Sequence, residues 1–471
     1  MRKTKIIATL GPSSSDKNIL TAMVKAGMNV ARINMSHATH EEHAARIALI
    51  KEIRRDLSAP VALMLDTRGP EIRLGTFENG SADVATGDEF EIVNEKIVGD
   101  ARKASVSCRD FYKMLRPGDF LLINDGLIRM QVKSIENKVV KLQVVIGGTL
   151  SNHKSINVPG AELNLPYLSD KDREDLLFGI EQDVDFIAAS FVSTANDIRV
   201  LKDFLFANGG ENIEVIAKIE SRKGVENIDD ILSLADGIMV ARGDLGVEVP
   251  FIELPAIQKS LIKHARAAGK RVITATEMLE SMISKPRPTR AETSDVANAV
   301  YDGTGAIMLS GETAAGLYPV QAIKVMSDIA EYTEKSIHYR KRFNMYGDFD
   351  VKSISDALSA SAVKASYDLD CNAIVVATRS GRTAKLVSRF RPACPIIAVT
   401  TTDKAYYQLA LSWGVYPLHG AEQAEMGKVF SHAAKVATYF NMIKTGDTVV
   451  TLATSTGESR DAMNVLRIDR I

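Results

Sequence analysis

The chain has 471 residues, and its 58 basic and 59 acidic side chains give a formal net charge of −1 at pH 7. This length predicts two to four domains, although barrel domains are larger than most. The even charge balance, without a basic stripe interleaved with aromatics, argues against nucleic acid as a partner. The apolar run at residues 6–10 is cut by Gly11 and Pro12 and no run approaches the roughly 18 residues of a spanning helix, so we expect neither a signal peptide nor a membrane partner.

Three cysteines, Cys108, Cys371 and Cys394, lie far apart and lack the paired spacing of a metal site. A disulfide framework uses more cysteines at closer spacings, so this pattern is typical of a reducing compartment. We therefore expect a cytoplasmic protein whose cysteines serve packing.

The first 69 residues alternate short Ile/Val-rich runs with segments of helical spacing. Strands are predicted at residues 4–11, 29–35 and 61–67, with helices at 16–27 and from about 39 to 57. The second helix begins with Thr39 and Glu42, which have the spacing of a capping box. This part of the chain therefore has a strand–helix–strand–helix–strand order.

The alternation stops at Gly69-Pro70 and resumes near Tyr167. Between them lie short alternating runs at residues 89–93, 120–124, 128–135 and 139–146, separated by turn sequences such as Thr-Gly-Asp and Asn-Asp-Gly. This pattern predicts a small β-barrel lid domain at residues 70–166, inserted into a larger domain and hinged at 69–70 and 165–166.

After the insertion, a helix is predicted at residues 170–182, and strands at 185–190, 215–220, 237–241, 271–276 and 306–311. Three strands before the insertion and five after it make the eight of a closed (β/α)₈ barrel, predicted for residues 1–69 and 167–343. A doubly wound open sheet is the alternative, but Leu10-Gly11-Pro12 makes a poor phosphate loop. Residues 344–471 predict a second, open α/β domain, beginning with a helix at 354–367.

The segment from 215 to 248 carries an ammonium and two carboxylates at the ends of two adjacent strands. Lys218 and Glu220 share a face of the first strand, and Asp244 follows the second. Carboxylates placed this way suit Mg²⁺ or Mn²⁺ and leave Lys218 facing an anionic substrate. The alternative is a structural Lys–Glu pair beside a surface aspartate.

Several strings resemble the pyruvate kinase family. Ala-Lys-Ile-Glu (217–220) followed by Asp-Gly-Ile-Met-Val-Ala-Arg-Gly-Asp-Leu-Gly (236–246) resembles its metal and lysine segment. Arg-Ile-Asn-Met-Ser-His (32–37) and Asp-Thr-Arg-Gly-Pro-Glu-Ile-Arg (66–73) resemble two further motifs, and residues 274–282 and 308–313 two more. Met35, Ala38, Arg68 and Glu277 depart from the family patterns, beside the functional positions.

The resemblance implies transfer of a phosphoryl group from phosphoenolpyruvate to ADP, giving pyruvate and ATP in glycolysis. It also implies Mg²⁺ (or Mn²⁺) and K⁺ as cofactors and a homotetramer. The positions it implies are Lys218, Thr276, Arg32, Arg73 and Ser310 for catalysis; Arg32, Lys218, Gly243, Asp244 and Thr276 for substrate; Asn34, His37 and Arg73 for nucleotide; Glu220 and Asp244 for Mg²⁺; and Asn34, Ser36, Asp66 and Thr67 for K⁺.

Taken singly, these residues have plainer interpretations. Thr276 and Ser310 alone would be strand-end hydroxyls, and His37 a surface histidine. Glu71 lies just after the implied K⁺ ligands, and in the family a glutamate there accompanies dependence on K⁺.

A loop of the last domain follows a strand and precedes a helix, so its backbone N–H groups and hydroxyls are suited to cradle a phosphate. It resembles the family's effector loop, and a plain βα turn is the alternative. The loop consists of Thr378, Arg379, Ser380, Gly381, Arg382 and Thr383. It predicts a phosphorylated allosteric activator, although Glu458, in a second loop at 455–460, argues against a sugar bisphosphate.

Two other functions remain open on sequence grounds. One is a metal-dependent lyase or aldolase of the phosphoenolpyruvate/pyruvate barrel type, which needs neither a lid nor an ADP site. The other is a catalytically inactive metabolite sensor that uses the last domain, against which the intact Lys218, Glu220 and Asp244 argue.

Overall fold

Eight parallel strands close into a barrel in the computed structural model, which describes residues 1–124, 126–161, 166–345, 351, 353–453 and 465–471. Each strand pairs with the next along the chain, and the first pairs with the eighth. The strands are Lys5–Thr9, Val30–Asn34, Ala62–Asp66, Phe186–Ala189, Glu214–Ile219, Gly237–Ala241, Arg271–Ala275 and Ala306–Leu309. This closure confirms the predicted barrel and excludes the open sheet.

The barrel strands are buried on both faces, which explains their continuous apolar runs. Inward side chains such as Met64, Phe186 and Met239 fill the interior, while the outward ones pack beneath the helices. The interior is therefore a core, and only the strand ends are open for chemistry.

Helices connect the strands and begin where the sequence supplies a cap. Thr39 and Glu42 exchange both bonds of the predicted capping box, a contact worth about 1 kcal/mol. The predicted connection after the fifth strand is broken into two short helices. The helices of the barrel are Lys17–Ala26, His40–Asp56, Asp170–Glu181, Ala195–Ala207, Arg222–Glu226, Ile228–Leu234, Arg242–Glu248, Leu254–Ala267, Arg290–Asp302, Gly311–Ala314 and Pro319–Lys335, with 3₁₀ turns at Pro12–Ser14 and Glu280–Ile283.

The inserted segment is all-β around an apolar core of its own. One sheet has seven strands and two others have two strands each. An isolated bridge between Leu74 and Val106 joins the regions beyond the two edge strands of the large sheet, so the sheet curls towards closure. In sheet order the seven strands are Ile72–Arg73, Ser155–Asn157, Phe120–Ile123, Ile128–Glu136, Val139–Ile146, Glu89–Val93 and Lys103–Ser105; the paired short strands are Ser81–Val84 with Gly148–Ser151 and Thr76–Phe77 with Val98–Gly99, and a 3₁₀ turn lies at Phe111–Met114.

The last part of the chain forms a five-stranded α/β sheet, as predicted. Its order is Val415–His419, Ile396–Thr400, Ala373–Ala377, Thr448–Ala453 and Val465–Arg470, with the last strand antiparallel. Helix Tyr339–Met345 precedes this domain. Its own helices are Ile354–Asp368, Arg382–Arg389, Asp403–Gln408 and Met426–Tyr439, with a 3₁₀ turn at Leu409–Leu411.

This domain packs against the amino ends of the barrel strands, opposite the open rim. Nζ of Lys5 donates to the carbonyl of Val415 at 2.6 Å, and Nζ of Lys385 lies 2.6 Å from Oε1 of Glu214. Both barrel residues begin a strand. Among the described residues, no helix is long and apolar enough to cross a membrane.

Candidate active site

Four adjacent strands bring charged side chains together at the carboxyl end of the barrel. Nζ of Lys218 lies 3.1 Å from Oδ1 of Asp66, 2.9 Å from Oε1 of Glu220 and 2.6 Å from Oγ of Ser190. On the other side of Asp66, Nε of Arg32 donates to Oδ2 at 2.6 Å. The predicted Lys218, Glu220, Asp66 and Arg32 therefore form one cluster, in which Glu220, Asp66 and Arg32 are buried and Lys218 is partly exposed.

Lys218 and Asp66 hold each other in their ionised forms, and Arg32 supports Asp66. Burial lowers the pKa of Lys218, but Asp66 and Glu220 outweigh it and raise that pKa above its usual value. Burial raises the pKa of Asp66, but Arg32 and Lys218 hold it below its usual value. Lys218 is therefore a fixed ammonium at neutral pH, suited to stabilise an anion that forms beside it.

Glu220 differs from Asp66 because less positive charge opposes its burial. Burial and the nearby Asp244 raise the pKa of Glu220 to about 7, against the opposing effect of Lys218. Oε2 accepts from the backbone N–H of Phe191 at 2.6 Å, while the buried Oε1 has Nζ of Lys218 at 2.9 Å as its ion-pair partner. An oxygen of this kind, with a second carboxylate in electrostatic reach, fits a divalent cation.

No group of three or more His, Cys, Asp or Glu side chains poised to hold a metal occurs among the described residues. Two carboxylates are enough for Mg²⁺, which usually keeps several waters and binds substrate oxygens. Asp244, which was predicted just past a strand, lies in the first turn of helix Arg242–Glu248.

The side chains predicted for K⁺ lie at the ends of the second and third strands. Asn34 and Asp66 are paired in register, and Oδ1 of Asn34 accepts from the N–H of Ser36 at 3.1 Å. Oγ1 of Thr67 accepts from the N–H of Ser190 at 3.1 Å. These oxygens suit a monovalent cation, although both oxygens of Asp66 already contact cationic side chains.

Thr276 stands at the end of the seventh strand in a strained conformation. Its φ of 66° lies in the left-handed region, where a β-branched residue is a rare outlier, and Glu277 follows it there. Its hydroxyl accepts from the N–H of Gly243 at 2.8 Å and donates to the carbonyl of Ala275 at 2.6 Å. The bond from Gly243 holds this hydroxyl beside the helix that carries Asp244.

A guanidinium fixes the turn at Thr276. Nη2 of Arg242 donates to the Thr276 carbonyl at 2.6 Å, and Nη1 contacts Asp295 at 2.7 Å. Arg242, the first residue of the helix after the sixth strand, therefore positions the strained turn.

Three predicted residues have other contacts in this structure. Arg73 pairs with Glu71 at 2.6 Å and donates to the carbonyl of His153 at 2.8 Å, so it is held within the inserted domain. Ser310 is half-buried and its backbone N–H donates to Glu312, whereas the side chain of His37 is exposed.

The sequence analysis did not single out Ser190 or Thr9. Ser190 directly follows the fourth strand and contacts Lys218, and Thr9 ends the first strand and accepts from Nη1 of Arg32 at 2.8 Å. The strand-end rule would have found both, but a lone Ser or Thr carries no charge that marks it in the sequence.

The predicted effector loop follows the strand Ala373–Ala377 of the last domain. In the sheet, this strand lies between Ile396–Thr400, which is the next strand in the chain, and Thr448–Ala453. The strand order reverses at this place, which makes it a topological switch point. Arg382 is exposed, and Gly381 has a φ of 76°. The second loop, with Glu458, lies outside the described residues.

Comparisons with known proteins decide the family. A model described as the pyruvate kinase barrel domain matches residues 1–323, and one described as the pyruvate kinase alpha/beta domain matches residues 356–469. The chain belongs to the pyruvate kinase family. Pyruvate kinase of Clostridium acetobutylicum is 45% identical over 99% of both chains, and that of Clostridium perfringens is 43% identical over 100% of both.

A solved structure agrees with these relatives. The crystal structure of a pyruvate kinase from Cryptosporidium parvum covers 100% of this chain with a TM-score of 0.94 at 36% identity, and 96% of that chain is matched. The pyruvate kinase of Geobacillus stearothermophilus is 46% identical, but the matched region is 77% of its length. Membership of this family supports the enzyme prediction and neither the lyase nor the inactive sensor.

Proposed function

We propose that the chain transfers the phosphoryl group of phosphoenolpyruvate to ADP, giving pyruvate and ATP in glycolysis. The observation that carries the proposal is the ammonium of Lys218, fixed between Asp66, Glu220 and Ser190 at the rim of the barrel. The test is a coupled assay of pyruvate formation from phosphoenolpyruvate and ADP with Mg²⁺ and K⁺. Absence of pyruvate from the folded protein would reject the assignment.

In this proposal the chain supplies preorganised positive charge. Lys218 and Arg32 face the phosphoryl group, and Lys218 also faces the enolate oxygen that is left when the group departs. Because their carboxylate partners hold both cations in place, little reorganisation is needed as negative charge shifts between substrate oxygens. Arg73 would contact the phosphoryl group only after its ion pair with Glu71 opens.

Proton delivery completes pyruvate formation. The hydroxyl of Thr276, with Ser310 nearby in the proposed water chain, would pass a proton to the methylene carbon of enolpyruvate. The bond from Thr276 to the carbonyl of Ala275 must open for this step, while the contacts from Gly243 and Arg242 keep Thr276 at the strand end.

Two cations belong to this proposal. Glu220 and Asp244 would hold Mg²⁺ or Mn²⁺, with Gly243 beside the substrate, and Asn34, Ser36, Asp66 and Thr67 would hold K⁺. When bound, these ions neutralise charge on the transferring phosphoryl group. The nucleotide would lie against Asn34, His37 and Arg73.

The inserted domain is proposed to move as a lid over the rim. The side chain of Glu248, in the helix after the sixth strand, is hydrogen-bonded to Asn157 of the inserted domain. Closure would exclude water from the phosphoryl group. Fluorescence transfer between labels on lid and barrel should change when phosphoenolpyruvate and Mg²⁺ are added, and an unchanged signal would count against a mobile lid.

A phosphorylated activator is proposed to bind the loop of residues 378–383. The support is its place at a switch point, where ligands bind in open α/β sheets. Arg382→Ala should abolish activation while leaving maximal turnover largely intact, with the exposed Lys428→Ala as control. If no phosphorylated metabolite activates the parent, the loop is structural. We further propose a cytoplasmic homotetramer, to be checked by light scattering.

A further inference from the structure

A cavity between the amino ends of the barrel strands and the last domain is lined by an excess of positive charge. The space wide enough for a water molecule's centre is about 40 Å³, whereas one water needs about 10–15 Å³. One acidic residue, Asp236, lies in its wall. Six basic residues line it: Arg266, Lys270, Arg271, Lys385, Arg389 and Arg391.

Buried hydrogen-bond donors in this wall lack partners among the described residues. They are Nε of Arg271, Nε and Nη1 of Arg391, and the hydroxyl of Ser412. Arg271 is 9% exposed and Ser412 is 2% exposed. Buried donors of this kind cost free energy unless something satisfies them, and charged donors cost more.

The remaining contacts of these side chains keep them in the wall. Nη2 of Arg391 donates to the carbonyl of Gly303 at 2.9 Å, and its guanidinium lies 4.4 Å from the centre of the Trp413 ring. Nη2 of Arg271 donates to the carbonyl of Gln408 at 3.1 Å, and Nη1 binds Glu214. The unsatisfied nitrogens are therefore fixed in position.

Like charges raise the electrostatic potential in the cavity. Burial and the nearby Arg266 lower the pKa of Arg391 well below its usual value. Burial also lowers the pKa of Lys270; Asp236 opposes this effect, and Lys202 and Lys385 add to it. Glu214 pairs with Arg271 and Lys385, and Asp356 pairs with Arg389, so these carboxylates reduce the excess charge without cancelling it. Water can satisfy the donors, but it cannot offset the charge that remains.

We propose that this cavity, with Arg271, Arg391 and Ser412 as donors, binds a tetrahedral oxyanion of phosphate size. Fixed guanidinium N–H groups make strong, charge-assisted hydrogen bonds to oxyanions, and an anion offsets the remaining positive charge. The site is distinct from the barrel rim, which lies at the opposite ends of the strands. It joins the strand Arg271–Ala275, which leads into Thr276, to the helix Arg382–Arg389, which begins in the proposed effector loop.

The test is a titration of the whole protein with inorganic phosphate at constant ionic strength, read by calorimetry and by thermal unfolding. Phosphate should bind the parent and raise its midpoint temperature, whereas chloride should not. Arg391→Gln should weaken phosphate binding at least about tenfold, because it removes a charged donor. Ser412→Ala, a milder change that keeps the charges, should weaken it about two- to tenfold.

Two other variants separate this cavity from the other expected phosphate sites. Lys218→Met at the rim and Arg382→Ala in the effector loop should retain the phosphate response, and so should the exposed Arg340→Gln. The anomalous signal of selenate in a crystal should lie between Arg271 and Arg391. Unchanged affinity in both Arg391→Gln and Ser412→Ala, or loss of the response in Lys218→Met or Arg382→Ala, would overturn the proposal.

Discussion

Replacing Lys218 by methionine removes the ammonium that balances two buried carboxylates. Its nitrogen lies 3.1 Å from Asp66 and 2.9 Å from Glu220. Breaking a buried charge pair typically costs about 3–5 kcal/mol. Glu220 can reduce that cost, because its pKa is already about 7 and rises further without Lys218, so the carboxyl takes up a proton at neutral pH.

We therefore expect Lys218→Met to lower the free energy of unfolding by about 1–3 kcal/mol at pH 7, less than the full cost of a buried unpaired charge. Turnover should fall at least about 10²- to 10³-fold, because a preorganised charge facing the phosphoryl group is lost. Urea unfolding measures the first effect and the coupled pyruvate assay the second. Adding Glu220→Gln should restore part of the stability and none of the activity.

The matched control is Lys263→Met, an exposed lysine on the helix Leu254–Ala267. It should change stability by no more than about 0.5 kcal/mol and leave turnover near the parental value. Near-parental turnover by folded Lys218→Met would refute its role in the reaction. A stability change no larger than that of the control would show that the buried pairing does not support the fold.

Three further predictions concern metal, potassium and pH. Glu220→Gln and Asp244→Asn should each raise the Mg²⁺ concentration needed for half-maximal rate, because each removes a charged oxygen from one ion. Glu71→Lys should retain activity when K⁺ is replaced by a large organic cation, because a lysine ammonium supplies the missing positive charge. Burial lowers the pKa of Lys5 from 10.5 to about 7, so between these values the unfolded chain binds more protons than the folded chain and stability rises with pH. Lys5→Met should remove this contribution, so that the free energy of unfolding rises by at most about 4–5 kcal/mol less over this pH range than in the parent.

Each of these predictions has a control and a contradicting result. If both metal variants keep the parental Mg²⁺ titration, the ion is bound elsewhere. The exposed Glu78→Lys, in the same domain as Glu71, should remain as K⁺-dependent as the parent; full parental activity without K⁺ would contradict the argument for Glu71. For Lys5, urea unfolding measures the free energy of unfolding at pH 7 and pH 9.5, which should rise more in the parent than in the variant. An equal rise in both would show that folding does not disfavour the Lys5 ammonium.

The sequence predicted the barrel strands and the charged residues of the cluster at the rim. Apolar runs bounded by caps and turns predicted all eight barrel strands, because local backbone preference and burial act together there. Lys218, Glu220 and Asp66 could be found because charged side chains at the ends of buried strands have no other low-energy explanation than pairing or binding.

Tertiary structure decided the contacts between elements that are distant in the chain. The pairing of Lys218 with Asp66 across 152 residues, the place of Ser190 beside it, and the engagement of Arg73 by Glu71 depend on strand order and on the position of the inserted domain. Neutral Ser190 carries no signal in the sequence. The cavity near Arg391 cannot be predicted from the sequence either, because its cations come from separate segments of the chain. Only tertiary packing brings their nitrogens together and buries them.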